Sequence, residues 1–233
     1  MMCIKAFLFD LDGTLVDSEI MWVYAVRDYL VDKGIDFDYA SAVELVYGNP
    51  WEYIYEEIAK KYPFLEDEIP NLIERIYPYF NKYTREMELA IPGSIELLKR
   101  LSKNYPCAIV SGSYRKDVEN MVESLGIGKY LEFFLGKEDY FPGKPHPAGY
   151  LKAAEILGVE PKECVAFEDS TVGFKAVKSA GMYCVALVRE GRPLQDLSLV
   201  DLALPDLSLF TVDMLKEKKE SKLAVEKTYQ EEK

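Results

Sequence analysis

Two aspartates follow the first apolar segment of this 233-residue chain, and their spacing puts both carboxylates into one short turn. The segment runs from Cys3 to Phe9 and leads into Asp10-Leu11-Asp12-Gly13-Thr14. Its apolar and aromatic content predicts a buried strand, and ligands of open α/β sheets bind at the carboxyl ends of the strands. Aspartate and glycine are also common in turns, so a polar turn without function is the alternative.

Three further predicted strands lead into polar segments. Parallel strands place their carboxyl ends at one edge of a sheet, so we expect these segments to meet Asp10 and Asp12 there. In chain order they are Ser111-Gly112-Ser113 after Cys107–Val110, Gly143-Lys144-Pro145 in the loop after Glu132–Leu135, and Glu168-Asp169-Ser170 after Cys164–Phe167.

The elements between these strands have helical periodicity. A fifth apolar run, Tyr183–Val188, follows the last of the predicted helices, several of which end at a glycine: Gly126, Gly158 or Gly181. Strands that alternate with helices predict an α/β fold with a doubly wound parallel sheet and a Rossmann-like core.

Residues 17–90 interrupt this alternation. They contain no convincing strand and four helical stretches, near 18–33, 39–47, 51–62 and 70–86. With 16 acidic and 7 basic residues, this segment carries −9 of the formal charge of −12, and it holds ten of the seventeen tyrosines. We therefore expect an α/β core built from residues 1–16 and 91–233, with an inserted helical domain at 17–90. The charged segment 213–233 predicts a solvated helix or a frayed tail.

The four polar segments resemble, in order and spacing, the motifs of the haloacid dehalogenase superfamily of phosphotransferases. The family pattern is DxDGT, then a Ser or Thr after the second strand, a Lys often in KPxP, and an acidic pair after the fourth strand. In this chain the pattern corresponds to Asp10 through Thr14, Ser111, Lys144-Pro145-His146-Pro147 and Glu168-Asp169. An insertion directly after the first motif is similar to the subgroup with a helical cap domain.

The resemblance implies a phosphatase that works through an aspartyl-phosphate. Asp10 would be the nucleophile and Asp12 the general acid and base. The Ser111 hydroxyl and the Gly112 amide, expected at the start of the next helix, would bind phosphate together with Lys144. A phosphate in a cleft that already holds four acidic side chains needs a compensating cation. Mg²⁺ suits hard oxygen ligands, so we expect it on Asp10, Asp169 and the backbone carbonyl of Asp12, with Glu168 reaching it through water.

Single residues narrow the choice within the family. Asp12 stands where dehalogenases carry an aromatic residue and phosphonatases a small one. β-Phosphoglucomutases have a His in the first cap helix and an Arg after a cap glycine, whereas this chain has Trp22 and Asn49-Pro50-Trp51. Hydrolysis of a sugar or polyol monophosphate is therefore preferred. The alternatives are the mutase reaction, phosphoglycolate as substrate, and a binding protein without catalysis.

His146, between two prolines, is expected to be exposed or to have a structural role.

Composition limits the remaining function classes. A net charge of −12 disfavours nucleic acid and anionic membranes as partners, and the sequence has no long uncharged apolar stretch. The four cysteines lie far apart in or beside apolar runs, which is typical of reduced core thiols. We expect a cytoplasmic enzyme, a monomer or a weak dimer, that acts on a small phosphorylated metabolite.

Overall fold

The computed structural model describes residues 3–47, 49, 51–86, 89–192 and 194–215. Its sheet has six strands, every one parallel to its neighbours, in the spatial order β3-β2-β1-β4-β5-β6. The strands are β1 (Ala6–Phe9), β2 (Cys107–Val110), β3 (Phe133–Leu135), β4 (Cys164–Glu168), β5 (Tyr183–Leu187) and β6 (Leu202–Leu204). The predicted doubly wound α/β fold is confirmed.

The chain divides into two compact units. One combines Met1–Val16 with Ala90–Lys233, and the other is Asp17–Leu89. The second unit contains the helices α1 (Glu19–Asp32), α2 (Tyr39–Val46), α3 (Trp51–Lys61) and α4 (Leu72–Glu86). The first unit contains the sheet and the helices α5 (Pro92–Leu101), α6 (Arg115–Ser124), α7 (Ala148–Leu157) and α8 (Thr171–Ser179).

The position of β1 between β2 and β4 follows from its composition. All four of its residues are fully buried, as expected for a strand covered on both faces. Its side chains alternate: Ala6 and Leu8 join the core cluster that includes Tyr150 of α7 and Phe174 of α8, whereas Phe9 stacks on Phe167 with ring centroids 4.7 Å apart.

The strand register aligns the ends of the three central strands. Phe9 pairs with Ile109 of β2 and with Phe167 of β4. The residues that follow these strands therefore leave the sheet at nearly the same height, as the sequence predicts.

The helical unit has its own core of apolar and aromatic side chains. Trp22 of α1 stacks on Phe80 at 4.0 Å and meets Trp51 edge-on at 4.9 Å. Tyr29 is buried in the same core. Much of the aromatic content of the unit is thus explained by packing between helices.

Three expectations differ from the structure. β6 was not predicted, and β1 begins at Ala6 rather than at the predicted Cys3. Cys107, Cys164 and Cys184 are buried and free as predicted, but Cys3 is exposed, so its assignment as a core thiol is wrong. Gly48, Pro50 and residues 216–233, most of the charged tail, lie outside the described residues.

Candidate active site

Asp10 and Asp12 lie in the turn that follows β1. The backbone N–H of Asp10 extends the sheet by donating to the Phe167 carbonyl at 3.0 Å, and its carboxylate is buried. Gly13 has a φ of +80°, and a Cβ there would lie 1.9 Å from Oδ2 of Asp169. Glycine at position 13 therefore lets the turn form and lets Asp169 approach Asp10.

Lys144 joins this turn to β4. Its ammonium donates to Oδ1 of Asp10 at 2.5 Å and to Oε1 of Glu168 at 2.6 Å, and only 11% of the lysine side chain is exposed. A buried ammonium between two carboxylates is a strong, directional contact. Lys144 is therefore not an exposed turn lysine.

The charges of this cluster are not balanced. Burial raises the pKa of the Asp10 carboxyl well above its usual range; Lys144 opposes this shift, and the carboxylates of Glu168 and Asp169 add to it. Burial by itself would lower the pKa of Lys144, but the attraction of Asp10 and Glu168 outweighs it, so the pKa is raised well above its usual value. Lys144 therefore stays charged beside three carboxyl groups.

Glu168 is held from several directions. Its Oε1 accepts from Lys144 and from the hydroxyl of Tyr150 at 3.1 Å. Its Oε2 accepts from the Asp169 and Ser170 backbone amides, at 3.0 and 3.2 Å, and from the Ser170 hydroxyl at 3.2 Å. These five donors fix the carboxylate, which in turn positions Lys144.

Asp12 lies against the segment that follows β2. Its Oδ2 accepts from the Ser113 hydroxyl at 2.6 Å and from the Ser111 hydroxyl at 3.3 Å. The Ser111 carbonyl accepts from the buried Tyr140 hydroxyl at 2.8 Å. The ends of β1 and β2 are thereby joined through side chains, about a hundred residues apart in sequence.

Comparison with known proteins decides the family. The family model described as haloacid dehalogenase-like hydrolase matches residues 7–187, which is more than half of the chain. The chain belongs to this family. The resemblance inferred from the four motifs is therefore confirmed.

Several relatives of this haloacid dehalogenase-like hydrolase are named phosphatases. The validoxylamine A 7'-phosphate phosphatase of Streptomyces hygroscopicus subsp. limoneus is 30% identical over 88% of this chain and 94% of its own. The fructose-1-phosphate phosphatase of Escherichia coli is 27% identical over 76% of this chain and 93% of its own. These names agree with the expectation of a phosphoric monoester hydrolase.

A solved β-phosphoglucomutase from Clostridium difficile shares the fold. Its structure matches with a TM-score of 0.67 and 29% identity, covering 92% of this chain and 96% of that one. The fold is thus shared with a mutase, although the relatives named above are phosphatases. None of the helices in the described part of the chain combines the length and apolar character that a membrane span requires.

The acidic cluster fits the divalent metal that the family implies. Carboxylate oxygens of Asp10, Glu168 and Asp169 lie within 4.8 Å of one another. Hard oxygen donors of this kind suit Mg²⁺, and one ammonium, Lys144, faces three carboxyl groups. Because Glu168 already accepts five hydrogen bonds, Asp10 and Asp169 are the better candidates for direct ligands.

The structure brings most of the predicted site residues together. Lys144 donates hydrogen bonds to both Asp10 and Glu168, and Ser111 donates one to Asp12. The Thr14 hydroxyl donates to Oδ1 of Asp169 at 3.4 Å, which ties the last carboxylate to the turn after β1.

Two predictions concern residues at the edge of the site, Gly112 and His146. Gly112 was expected at the start of a helix, but α6 begins at Arg115. The Gly112 amide therefore lies in the turn before α6 and is not one of the free N–H groups of the helix N-terminus. A Cβ at Gly112 would meet nothing within 4 Å, which agrees with space beside its backbone. His146 is exposed, as expected, and its Nδ1 accepts from the Ala148 amide at 3.2 Å.

The sequence assigned no role to three side chains that support the site: Ser113, Tyr140 and Tyr150. Ser113 was expected at this edge of the sheet with the polar segment that also holds Ser111. The two tyrosines gave no such signal, since isolated tyrosines are ordinary core material.

Proposed function

We propose that this protein is a Mg²⁺-dependent phosphatase that hydrolyses a sugar or polyol monophosphate through an aspartyl-phosphate on Asp10. The observation that carries the proposal is the convergence of the buried Asp10 with Lys144 and Asp169 at the ends of the central strands. A carboxylate beside a buried ammonium and a cation site is suited to attack an anionic phosphorus centre.

In the first step a carboxylate oxygen of Asp10 forms a bond to phosphorus while the bond from phosphorus to the ester oxygen breaks. Lys144 offsets the negative charge of the phosphoryl oxygens, and the Ser111 hydroxyl and the Gly112 amide donate to them. Bound Mg²⁺ would supply the further positive charge that lets an anionic nucleophile approach an anionic substrate. Asp12 gives its proton to the departing alkoxide.

In the second step water attacks phosphorus and releases inorganic phosphate, and Asp10 regains its carboxylate. Asp12, deprotonated by the first step, takes the proton of the attacking water. One residue can serve both steps because the leaving oxygen and the water occupy the same side of the phosphoryl group in turn. The hydrogen bonds from Ser111 and Ser113 support this role, since they hold the Asp12 carboxylate beside the phosphate-binding segment.

The charge of the helical unit supports a monophosphate as substrate. Three of its basic side chains are already paired with acidic ones: Arg27 with Asp28, Arg75 with Glu68, and Lys82 with Asp28. These cations therefore offer little net attraction to a second phosphate or a carboxylate of the substrate. We propose that the unit serves as a cap that selects a neutral, hydroxyl-rich group.

Mutase activity is the second candidate, because the β-phosphoglucomutase structure matches at 29% identity. Gripping the second phosphate of a sugar bisphosphate requires a cation. By residue count, Trp22 and the segment that ends at Trp51 stand where β-phosphoglucomutases carry a His and an Arg. These two tryptophans pack against each other within the helical unit. This aromatic pair favours hydrolysis.

Three buried, free cysteines support a reducing compartment such as the cytoplasm.

A panel of phosphorylated metabolites tests the proposed activity. Inorganic phosphate release should be highest with sugar or polyol monophosphates and lower with phosphoglycolate. It should stop in excess chelator, return with Mg²⁺, and not return with Ca²⁺, whose larger coordination sphere misplaces the nucleophile. Asp10→Asn should abolish release without unfolding the protein. Full activity in chelator would refute the metal assignment.

A separate assay distinguishes hydrolysis from the mutase reaction. β-Glucose 1-phosphate is supplied with and without glucose 1,6-bisphosphate, and both glucose 6-phosphate and inorganic phosphate are followed. We expect phosphate release without stimulation by the bisphosphate. Bisphosphate-dependent formation of glucose 6-phosphate, faster than phosphate release, would establish the mutase instead.

A further inference from the structure

Asp12 accepts two hydroxyl hydrogen bonds on the same oxygen. Ser113 is the closer donor, at 2.6 Å from Oδ2, and Ser111 lies at 3.3 Å. Ser113 belongs to none of the four motifs on which the family resemblance rests, and its side chain is half-buried beside the site. Its contact with the proposed general acid and base calls for an explanation.

The two serines are not equivalent, because Ser111 has a competing task. A hydroxyl has one proton to donate, so Ser111 can serve either Asp12 or a phosphate oxygen at any moment. When phosphate occupies the site, the Ser111 proton goes to it. Of the two hydroxyls that donate to Oδ2 of Asp12, Ser113 then keeps its hydrogen bond.

The backbone around Ser113 is fixed, so its hydroxyl has a defined position. The Ser113 carbonyl accepts from the Lys137 amide at 2.9 Å, and the Ser113 amide donates to the Ser111 hydroxyl oxygen at 3.0 Å. The Ser111 amide donates to the Leu135 carbonyl at 2.9 Å. The segment after β2 is thus anchored to the segment after β3 on both sides of Gly112.

We propose that Ser113 is a positioning residue for proton transfer: its hydroxyl holds Oδ2 of Asp12 while Ser111 binds phosphate, so that Oδ1 faces the reacting oxygen. The inference rests on the proposed function. In the first step the Oδ1 proton passes to the leaving oxygen as its bond to phosphorus breaks. In the second step Oδ1 takes a proton from water, and Oδ2 keeps its bond to Ser113 throughout.

Leaving groups of different acidity test this role. Nitrophenolate departs without a proton, whereas phenolate, of similar size and shape, benefits from one. In single turnovers with enzyme in excess, which isolate the first step, we expect Ser113→Ala to slow phenol release from phenyl phosphate about tenfold and nitrophenolate release from p-nitrophenyl phosphate about twofold or less, with the half-saturating concentration nearly unchanged. Ser113→Thr keeps the hydroxyl and should recover most of the loss. Ser102→Ala, which removes an exposed hydroxyl at the end of α5, is the control and should behave as wild type.

The possible outcomes separate the alternatives. Equal slowing of the single-turnover release from both esters would overturn the positioning role, and a rise in the half-saturating concentration at an unchanged rate would show instead that Ser113 contacts the substrate. A Ser113→Thr variant as impaired as Ser113→Ala, with both folded by circular dichroism, would also overturn it. If the wild-type protein with Mg²⁺ releases phosphate from neither these esters nor the sugar and polyol monophosphates, or if Asp10→Asn stays active, the proposed function fails and the role of Ser113 fails with it.

Discussion

Glu168 lies fully buried at the end of β4, and each of its oxygens accepts at least two hydrogen bonds. Gly173, in the first turn of α8, packs directly against this carboxylate. A Cβ at position 173 would lie 1.8 Å from Oε1. Glycine is therefore required there by close approach.

We predict that Gly173→Ala displaces the Glu168 carboxylate and breaks its contact with Lys144. Disrupting a buried charge network of this kind should lower the free energy of unfolding by about 3 kcal/mol. Activity should fall at least about tenfold, because Lys144 loses one of its two anchors. Urea denaturation and steady-state assays measure the two effects.

Gly128→Ala is the matched control, since its Cβ would meet Val122 at an ordinary 3.5 Å. It should change stability by less than about 1 kcal/mol. A Gly173→Ala protein as stable and active as this control would show that Glu168 is not held where the structure has it.

Some residues of the site could be predicted from the sequence, and others could not. Asp10, Lys144 and Asp169 could be predicted because motif spacing and strand ends place them on one edge. Their supporting partners Tyr140 and Tyr150 could not, because these side chains reach the Ser111 carbonyl and the Glu168 carboxylate through tertiary packing. No local pattern in the sequence encodes such a contact.

At the scale of elements, the predicted core strands were found at apolar runs that contain β-branched or aromatic residues. β6 was missed because Leu202–Leu204, between Asp201 and Pro205, has neither kind of side chain, whereas the equally short β3 has Phe133 and Phe134. The strand exists because the β5 edge can pair with it: Val185 aligns with Leu202 and Leu187 with Leu204. Tertiary pairing, rather than local propensity, therefore decides whether so short a segment forms a strand.

The helical unit contains an ion-pair network that ties α1 to the segment before α4. The Lys33 ammonium donates to both oxygens of Glu68, at 2.7 and 2.8 Å, and the Tyr29 hydroxyl donates at 2.9 Å. The hydrogen bonds from Lys33 lower the pKa of Glu68; partial burial opposes the shift and Tyr29 adds to it.

A lowered pKa means that Glu68 stabilises the folded state above its unfolded pKa of about 4.3, and that this contribution is lost as the pH falls through the folded value. We predict that Glu68→Gln costs about 0.5–1 kcal/mol of stability at pH 7, and that this cost shrinks as the pH falls below about 4.3. Urea unfolding at a series of pH values measures the difference. Glu57→Gln, in an exposed pair with Lys60, is the control. A constant difference across the pH range would contradict the account.

At the scale of the whole molecule, the formal charge of −12 opposes the approach of highly anionic substrates. We predict that kcat/KM for a hexose monophosphate exceeds that for the corresponding bisphosphate by at least about tenfold at low salt. The ratio should shrink at high ionic strength, because salt screens the repulsion. A preference for the bisphosphate at low salt would show that a local cationic site overrides the net charge.

The central claim is that Asp10 carries the phosphoryl group. In Asp12→Asn the first step should still proceed with p-nitrophenyl phosphate, whose leaving group needs no proton, but water attack lacks its base, so the phosphoenzyme should accumulate. Acid quenching, borohydride reduction and peptide mass spectrometry then locate the acyl phosphate. We predict that residue 10 alone is converted to homoserine, and that Asp10→Asn and unphosphorylated protein show no conversion. Conversion at another residue, or full turnover by Asp12→Asn without any phosphoenzyme, would contradict the mechanism.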